Sequence, residues 1–318
     1  YGPVWFNILN WLDWLAGHDV YRFRHLLVAF LSAVDVGIFW VLWRRFGRLP
    51  AAIFFLNPAS IIITGVHNQF DNFAILLGLW AVIWFGDDFT RPLTTKKIAA
   101  LVLIGVSLMT KHILFLFPFW LAVKQEGLGR KLVVMLVPSA CFLLGFAPYW
   151  AGGAVGIEHN VFLYSSTSQT THYFYSLFVP DILQLCFSAT LIWILLLATF
   201  GFVCRRETGL RSLLVYLAAT VAFSPAITNQ YLVIPAAFAA VYFNLFTAAY
   251  LLIAGTEIAI SPSGLNLLSG KYADGTNLMD LVLVSLVFGL AWLWCRPFLL
   301  KCLQRSLLEV RTQLKRDG

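Results

Sequence analysis

Charge is scarce in these 318 residues: 12% are Asp, Glu, Lys or Arg, and 60% are hydrophobic. That excludes an ordinary soluble domain, in which about a quarter of residues are charged. Cysteine offers no framework. Cys141, Cys186, Cys204, Cys295 and Cys302 lie inside or at the ends of apolar runs without a C-x-x-C pair, so neither a disulfide scaffold nor a zinc knuckle is indicated. The chain has no N-x-[ST] sequon, no Walker or Rossmann glycine pattern and no H-E-x-x-H, which removes the usual nucleotide and zinc-protease signatures. It also lacks a fixed-period repeat or two-half symmetry, against transporters built from inverted repeats. Strict apolar–polar alternation is missing too, which excludes a transmembrane β-barrel.

What is there is apolar length and aromatic weight, with 12 Trp, 28 Phe and a mean hydropathy of +0.81. Solid apolar runs of this kind predict an all-α, polytopic transmembrane bundle in one domain. Residues 1–24 read as an interfacial amphipathic helix, with Trp5, Ile8, Leu9, Leu12 and Leu15 on one face and Asn7, Asn10 and Asp13 on another. Spans are expected at 25–43, 49–66, 72–86, 98–110, 112–123, 132–150, 179–203, 212–226, 230–243, 245–258 and 280–298, about eleven in all. Residues 299–318 form a basic tail.

Positive charge orients the bundle. One set of loops carries Arg44, Arg45 and Arg48, then Arg91, Lys96 and Lys97, then Lys124, Arg130 and Lys131, then Arg205, Arg206 and Arg211. With Arg296 and the tail these hold 18 of the 22 Lys and Arg, and the positive-inside rule puts them in the cytoplasm. The net charge of +7 is therefore a signal of topology and anionic-lipid contact, not of nucleic acid.

The opposite face collects the polar interruptions. His67, Asn68, Gln69, Phe70, Asp71 and Asn72 join two apolar runs, where Asp71 or Asn72 N-caps the returning helix or the six form a polar site. The same face holds Lys111–His112, Gln230–Tyr231 and the loop 151–180, rich in Tyr, Ser, Thr and His. Hydroxyls and aromatic rings suit a sugar-like ligand, and they equally suit an ordered interfacial loop. Lys111 reads either as a snorkelling interfacial cation or as a phosphate ligand. Asp35, near mid-span, reads as a structural lock between helices or as an acid below the site.

In this order the motifs resemble the GT-C class of polytopic glycosyltransferases, which use polyprenyl-phosphate-linked sugars. The resemblance runs over Y-G-P (Tyr1–Pro3), Asp35, N-P-x-x-I (Asn57–Ile61), H-x-Q-x-D (His67–Asp71), T-K-x-x-x-x-x-x-P (Thr110–Pro118) and N-Q-Y-L-x-x-P (Asn229–Pro235). It implies transfer of a mannose- or glucose-type hexose from the lipid-linked donor to a lipid or glycan acceptor, outside the cytoplasm. A bacterial cell membrane is favoured over the endoplasmic reticulum. The principal catalytic acid of such enzymes lies in an outer loop expected upstream of Tyr1.

Within this sequence Asp71 is the candidate catalytic carboxylate, supporting that acid or orienting the acceptor. His67, Gln69, Lys111, His112, His159, Tyr164, Gln230 and Tyr231 are the candidate substrate-binding residues, with His172 and Tyr173 weaker choices. No cofactor is assigned beyond the polyprenyl-phosphate sugar as donor substrate. A divalent metal on His67 and Asp71 lacks a third assigned ligand. The alternatives are a secondary transporter or lipid flippase using Asp35 and Asp71, or a non-catalytic subunit of a membrane assembly.

Overall fold

Backbone N–H and C=O groups inside hydrocarbon must pair within their own segment, and every described element is accordingly a helix. The computed structural model describes residues 2–162, 187–225, 227–261, 264–268 and 278–296, with short pieces at 179–180 and 182–183. Helix α1 (Pro3–Ala16) starts on Pro and stops at Gly17, whose φ of 63° is left-handed. Helix α2 (Val20–Phe46) is capped by the Asp19 carboxylate, which accepts from the Arg22 N–H. The interfacial helix is thus shorter than the expected 1–24, because this cap starts the next helix at Val20.

Helices α3 (Arg48–Phe55) and α4 (Pro58–Gly65) meet at a 50° bend. Asn57 caps α4 by accepting from the Ala59 N–H, and Pro58 takes the first helical position, where its missing N–H costs nothing. Then come α5 (Asp71–Phe85), α6 (Thr95–Thr110), a 3₁₀ turn (His112–Leu114) and α7 (Phe117–Ala122). Helix α8 (Leu128–Phe146) continues through a 3₁₀ turn into α9 (Trp150–Ile157) and a π-helical turn (Glu158–Phe162). Helices α10 (Ala189–Val203), α11 (Gly209–Ala222), a 3₁₀ segment (Asn229–Val233), α12 (Ala236–Val241), α13 (Leu245–Ile260) and α14 (Leu278–Arg296) complete the described fold.

The expected apolar segments are largely helical where they are described, but not all of them are long enough to cross a bilayer. Four described stretches have the length and apolarity: Val20–Phe46, Leu128–Ile157, Ala189–Arg206 and Leu278–Arg296; the bent α3–α4 pair makes a fifth. The segments at 112–123 and 230–243 each break into a 3₁₀ turn and a six-residue helix. At 1.5 Å per residue such a helix covers about 9 Å. The break has a cause in each case, since Pro118 and Pro235 sit at the start of the short helix and cannot donate into a continuous one.

Helices α5 and α11 form the centre, with most of their residues buried. At one end of α5 the basic loops gather. Arg130 donates to the Thr90 and Arg91 carbonyls, Lys124 to those of Cys204 and Glu207, and the Gly209 N–H to Asp87. At the other end, the Gly2 N–H donates to the Thr110 carbonyl, and Asn7 and Tyr149 exchange hydrogen bonds.

Between these ends Asp35 ties three helices together. Its Oδ2 accepts from the Thr64 hydroxyl of α4 at 2.7 Å, and its Oδ1 from the Asn72 amide of α5 at 2.6 Å. The same amide reaches the Ser60 hydroxyl at 3.3 Å, and all four residues are buried. The geometry is that of the interhelical lock. Asp35→Asn retains an acceptor and should cost about 1 kcal/mol, whereas Asp35→Leu orphans two buried donors and should cost roughly 3 kcal/mol or more. Thermal unfolding of both variants in one detergent checks this; equal losses would remove the lock.

Candidate functional site

Helix α5 begins unusually. Neither Asp71 nor Asn72 caps it; Phe70 holds the cap position without a side-chain hydrogen bond, and Asp71 lies in the first turn. There its carboxylate meets the positive end of the helix. Asn72 is turned instead to Asp35. Consecutive helical residues point about 100° apart, which lets one polar pair serve two different neighbours.

Lys111 comes to Asp71 from the end of α6. It follows the last helical residue in extended conformation (φ −153°, ψ 135°), its own N–H still bonded to the Ser107 carbonyl. Its Nζ stands 2.7 Å from each carboxylate oxygen and donates to Oδ2. The Asp71 side chain is fully buried and that of Lys111 is 9% exposed. The Phe70 and Tyr231 ring centroids each lie 5.3 Å from the ammonium, a cation–π arrangement that offsets part of its lost hydration. Phe70 in turn stacks on Trp5 of α1, centroids 3.9 Å apart and planes at 13°.

Beside this pair opens a cavity of about 640 Å³. Lys111, His112, Gln230 and Tyr231 line one part, and Phe6, Phe146, Tyr149, Ile157 and Val161 another. Gly153 and Gly156 of α9 also face it, so that wall carries no side chains to fill the space. Pro3 closes the α1 side, held by the Gly2–Thr110 hydrogen bond. A Cβ on Gly2 would stand 1.7 Å from the Met109 carbonyl oxygen, so only glycine permits this approach of α1 to α6.

Of the residues singled out in the sequence, Lys111, His112, Gln230 and Tyr231 meet on this cavity although they come from distant segments. Asp71 lies behind Lys111 and is not in the wall; its carboxylate is engaged by the ammonium. His67 and Gln69 are half-buried in the hinge and do not line the cavity. His67 Nε2, Asn68 Oδ1 and Gln69 Oε1 are buried atoms without a hydrogen-bond partner among the described residues. His159 is exposed on the π-helical turn, two residues before Val161. Tyr164, His172 and Tyr173 lie outside the described residues. No group of three His, Cys, Asp or Glu able to hold a metal occurs among the described residues.

The apolar wall was not singled out from the sequence. Its signal is the run of Gly152, Gly153 and Gly156 in α9, an unfavourable composition for a helix. The Asn7–Tyr149 clamp had no local signal, since its partners are 142 residues apart. Comparison with protein-family models, with curated proteins and with solved structures finds no match.

The burial of the ion pair is asymmetric, and so are its expected mutational costs. Lys111→Met strands the fully buried carboxylate and should destabilise by about 3–5 kcal/mol. Asp71→Leu should cost less, because the freed ammonium can turn to the cavity. The double variant should recover much of the loss from Lys111→Met. Thermal unfolding of the three proteins checks this order, and additive losses would contradict the pairing.

Proposed function

We propose that this chain belongs to a multi-pass membrane glycosyltransferase that moves a mannose- or glucose-type hexose from a polyprenyl phosphate to a lipid or glycan acceptor. The reading carries with it the eleven-segment topology, the basic loops in the cytoplasm of a bacterial cell and the cavity on the opposite face. The observation that supports it most is the divided lining of the cavity. An ammonium, an imidazole, an amide and a phenol gather in one part, and aromatic and aliphatic side chains in another. A polyprenyl-phosphate sugar is divided in the same way: an anionic and hydroxylated head on an apolar chain.

In this reading Lys111 stabilises the charge that grows on the departing phosphate, the kind of interaction that counts most in the transition state. Asp71 acts as a positioning residue, holding the ammonium through the 2.7 Å contact; the acceptor-orienting role expected for it gives way to this one, because its carboxylate is buried and engaged. Gln230 and His112 offer hydrogen bonds to the sugar-phosphate head. Among the described residues no Asp or Glu lines the cavity.

The test is sugar transfer by the full-length protein in vesicles, with radiolabelled mannose or glucose on polyprenyl phosphate. Lys111→Met, normalised to folded protein, should lower turnover by about 10²-fold, the scale of losing one such donor. Gln230→Ala removes no hydrogen bond made among the described residues and should raise the donor requirement about tenfold, as loss of about 1.4 kcal/mol of binding does. Unchanged folded yield for Gln230→Ala separates binding from stability. Absence of transfer by the wild type would refute the reading, and ion-coupled uptake without transfer would replace it with transport.

A further inference from the structure

The end of the bundle away from the cavity holds a second recess of about 320 Å³, bounded by the C-terminal turns of α2 and α5 and the start of α11. Arg45, Asp87 and Arg211 supply its charge, and Phe46, Val82 and Leu210 part of its apolar surface. Six other cations at this end have partners, and Arg205 and Arg206 lie outside the recess. Arg44 lies over Trp40 and Arg48 over Trp43 at 5.6 and 6.0 Å. Lys97 donates to the Asp88 carbonyl, Arg91 pairs with Asp88, and Lys124 and Arg130 hold backbone carbonyls. Arg45 makes no hydrogen bond or ion pair among the described residues, and Arg211 has only a 3.7 Å pair with Glu207 one turn away. Asp87, the acid of the recess, already accepts from the Gly209 N–H at 2.7 Å.

The level of the recess follows from the same contacts. Trp40 and Trp43 are 49% and 43% exposed on α2, and half-exposed Trp beside Arg marks the headgroup region of a bilayer. A recess there, lined by two arginines and by apolar side chains, matches an anionic lipid: Arg forks bind phosphate oxygens, and the apolar lining takes the glycerol and first acyl carbons. We propose that this recess binds an anionic phospholipid, its phosphate held between Arg45 and Arg211. The site is separate from the cavity at Lys111 and stands whether or not the transferase reading does; it rests only on the chain lying in a membrane.

The experiment is native mass spectrometry of the full-length protein after exchange into equimolar phosphatidylglycerol and phosphatidylcholine. The wild type should retain phosphatidylglycerol preferentially. Arg45→Gln with Arg211→Gln should lose that preference by about fivefold for each arginine, with unchanged thermal unfolding in detergent since both side chains are exposed. Arg205→Gln with Arg206→Gln removes the same charge from the neighbouring loop, outside the recess, and should leave retention at the wild-type level. Equal loss in the two double variants, no preference in the wild type, or binding of inorganic phosphate without preference for the lipid would each overturn the proposal.

Discussion

One ammonium holds the cavity end of this bundle together. Lys111 at the end of α6 meets Asp71 at the start of α5, with Phe70 and Tyr231 against its other sides. Phe70 carries the contact on to α1 by stacking on Trp5, and Tyr231 belongs to the 3₁₀ segment before α12. Four chain segments therefore take their mutual positions from a single charge. A buried ion pair adds little net stability, because the desolvation of both charges offsets their attraction; breaking it by removing one partner is what costs several kcal/mol. Its value here is geometric: it fixes where a cation faces the cavity.

The two buried acids divide their work by what they meet. Asp71 finds an ammonium, and Asp35 finds a hydroxyl and an amide from α4 and α5. Adjacent residues of one helix turn separate the two clusters, with Asp71 facing α6 and Asn72 facing α2 and α4. Any shift of the first turn of α5 moves both, so the lock in the middle of the bundle and the site at its end share one rigid element. The 50° break between α3 and α4 serves the same cluster, since Asn57 and Pro58 restart the helix that presents Ser60 and Thr64 to it.

Some of this was legible in the sequence for definite physical reasons. Apolar length predicts helix because hydrocarbon leaves the backbone no other partner, and two of the polar interruptions, Lys111–His112 and Gln230–Tyr231, lie on segments that meet at the cavity. Hydropathy failed where proline breaks a run: 112–123 and 230–243 are apolar beyond His112 and Gln230 but split into short pieces, since composition reports burial and not continuity. The role of Asp71 was unreadable for another reason. An acid at a helix start looks the same whether it faces solvent, caps the helix or meets a lysine, and the choice depends on a register between residues forty positions apart. The glycine-lined wall went unnoticed because a missing side chain signals nothing until a cavity stands beside it.

Once the structure is known, the motif residues separate by whether the fold uses them. Gly2 is fixed by the Met109 carbonyl, Asn57 and Pro58 form a cap, Asn229 bonds the Ser261 hydroxyl, and Asp35 ties helices. These positions would be needed in this bundle whatever it did. His112 and Gln230 differ. His112 Nδ1 is buried without a hydrogen-bond partner among the described residues, and the Gln230 side chain makes no hydrogen bond among them. Leaving a buried polar atom such as His112 Nδ1 unpaired costs about 1–3 kcal/mol. That cost is recovered when a polar ligand enters the cavity beside Lys111 and supplies the missing partner.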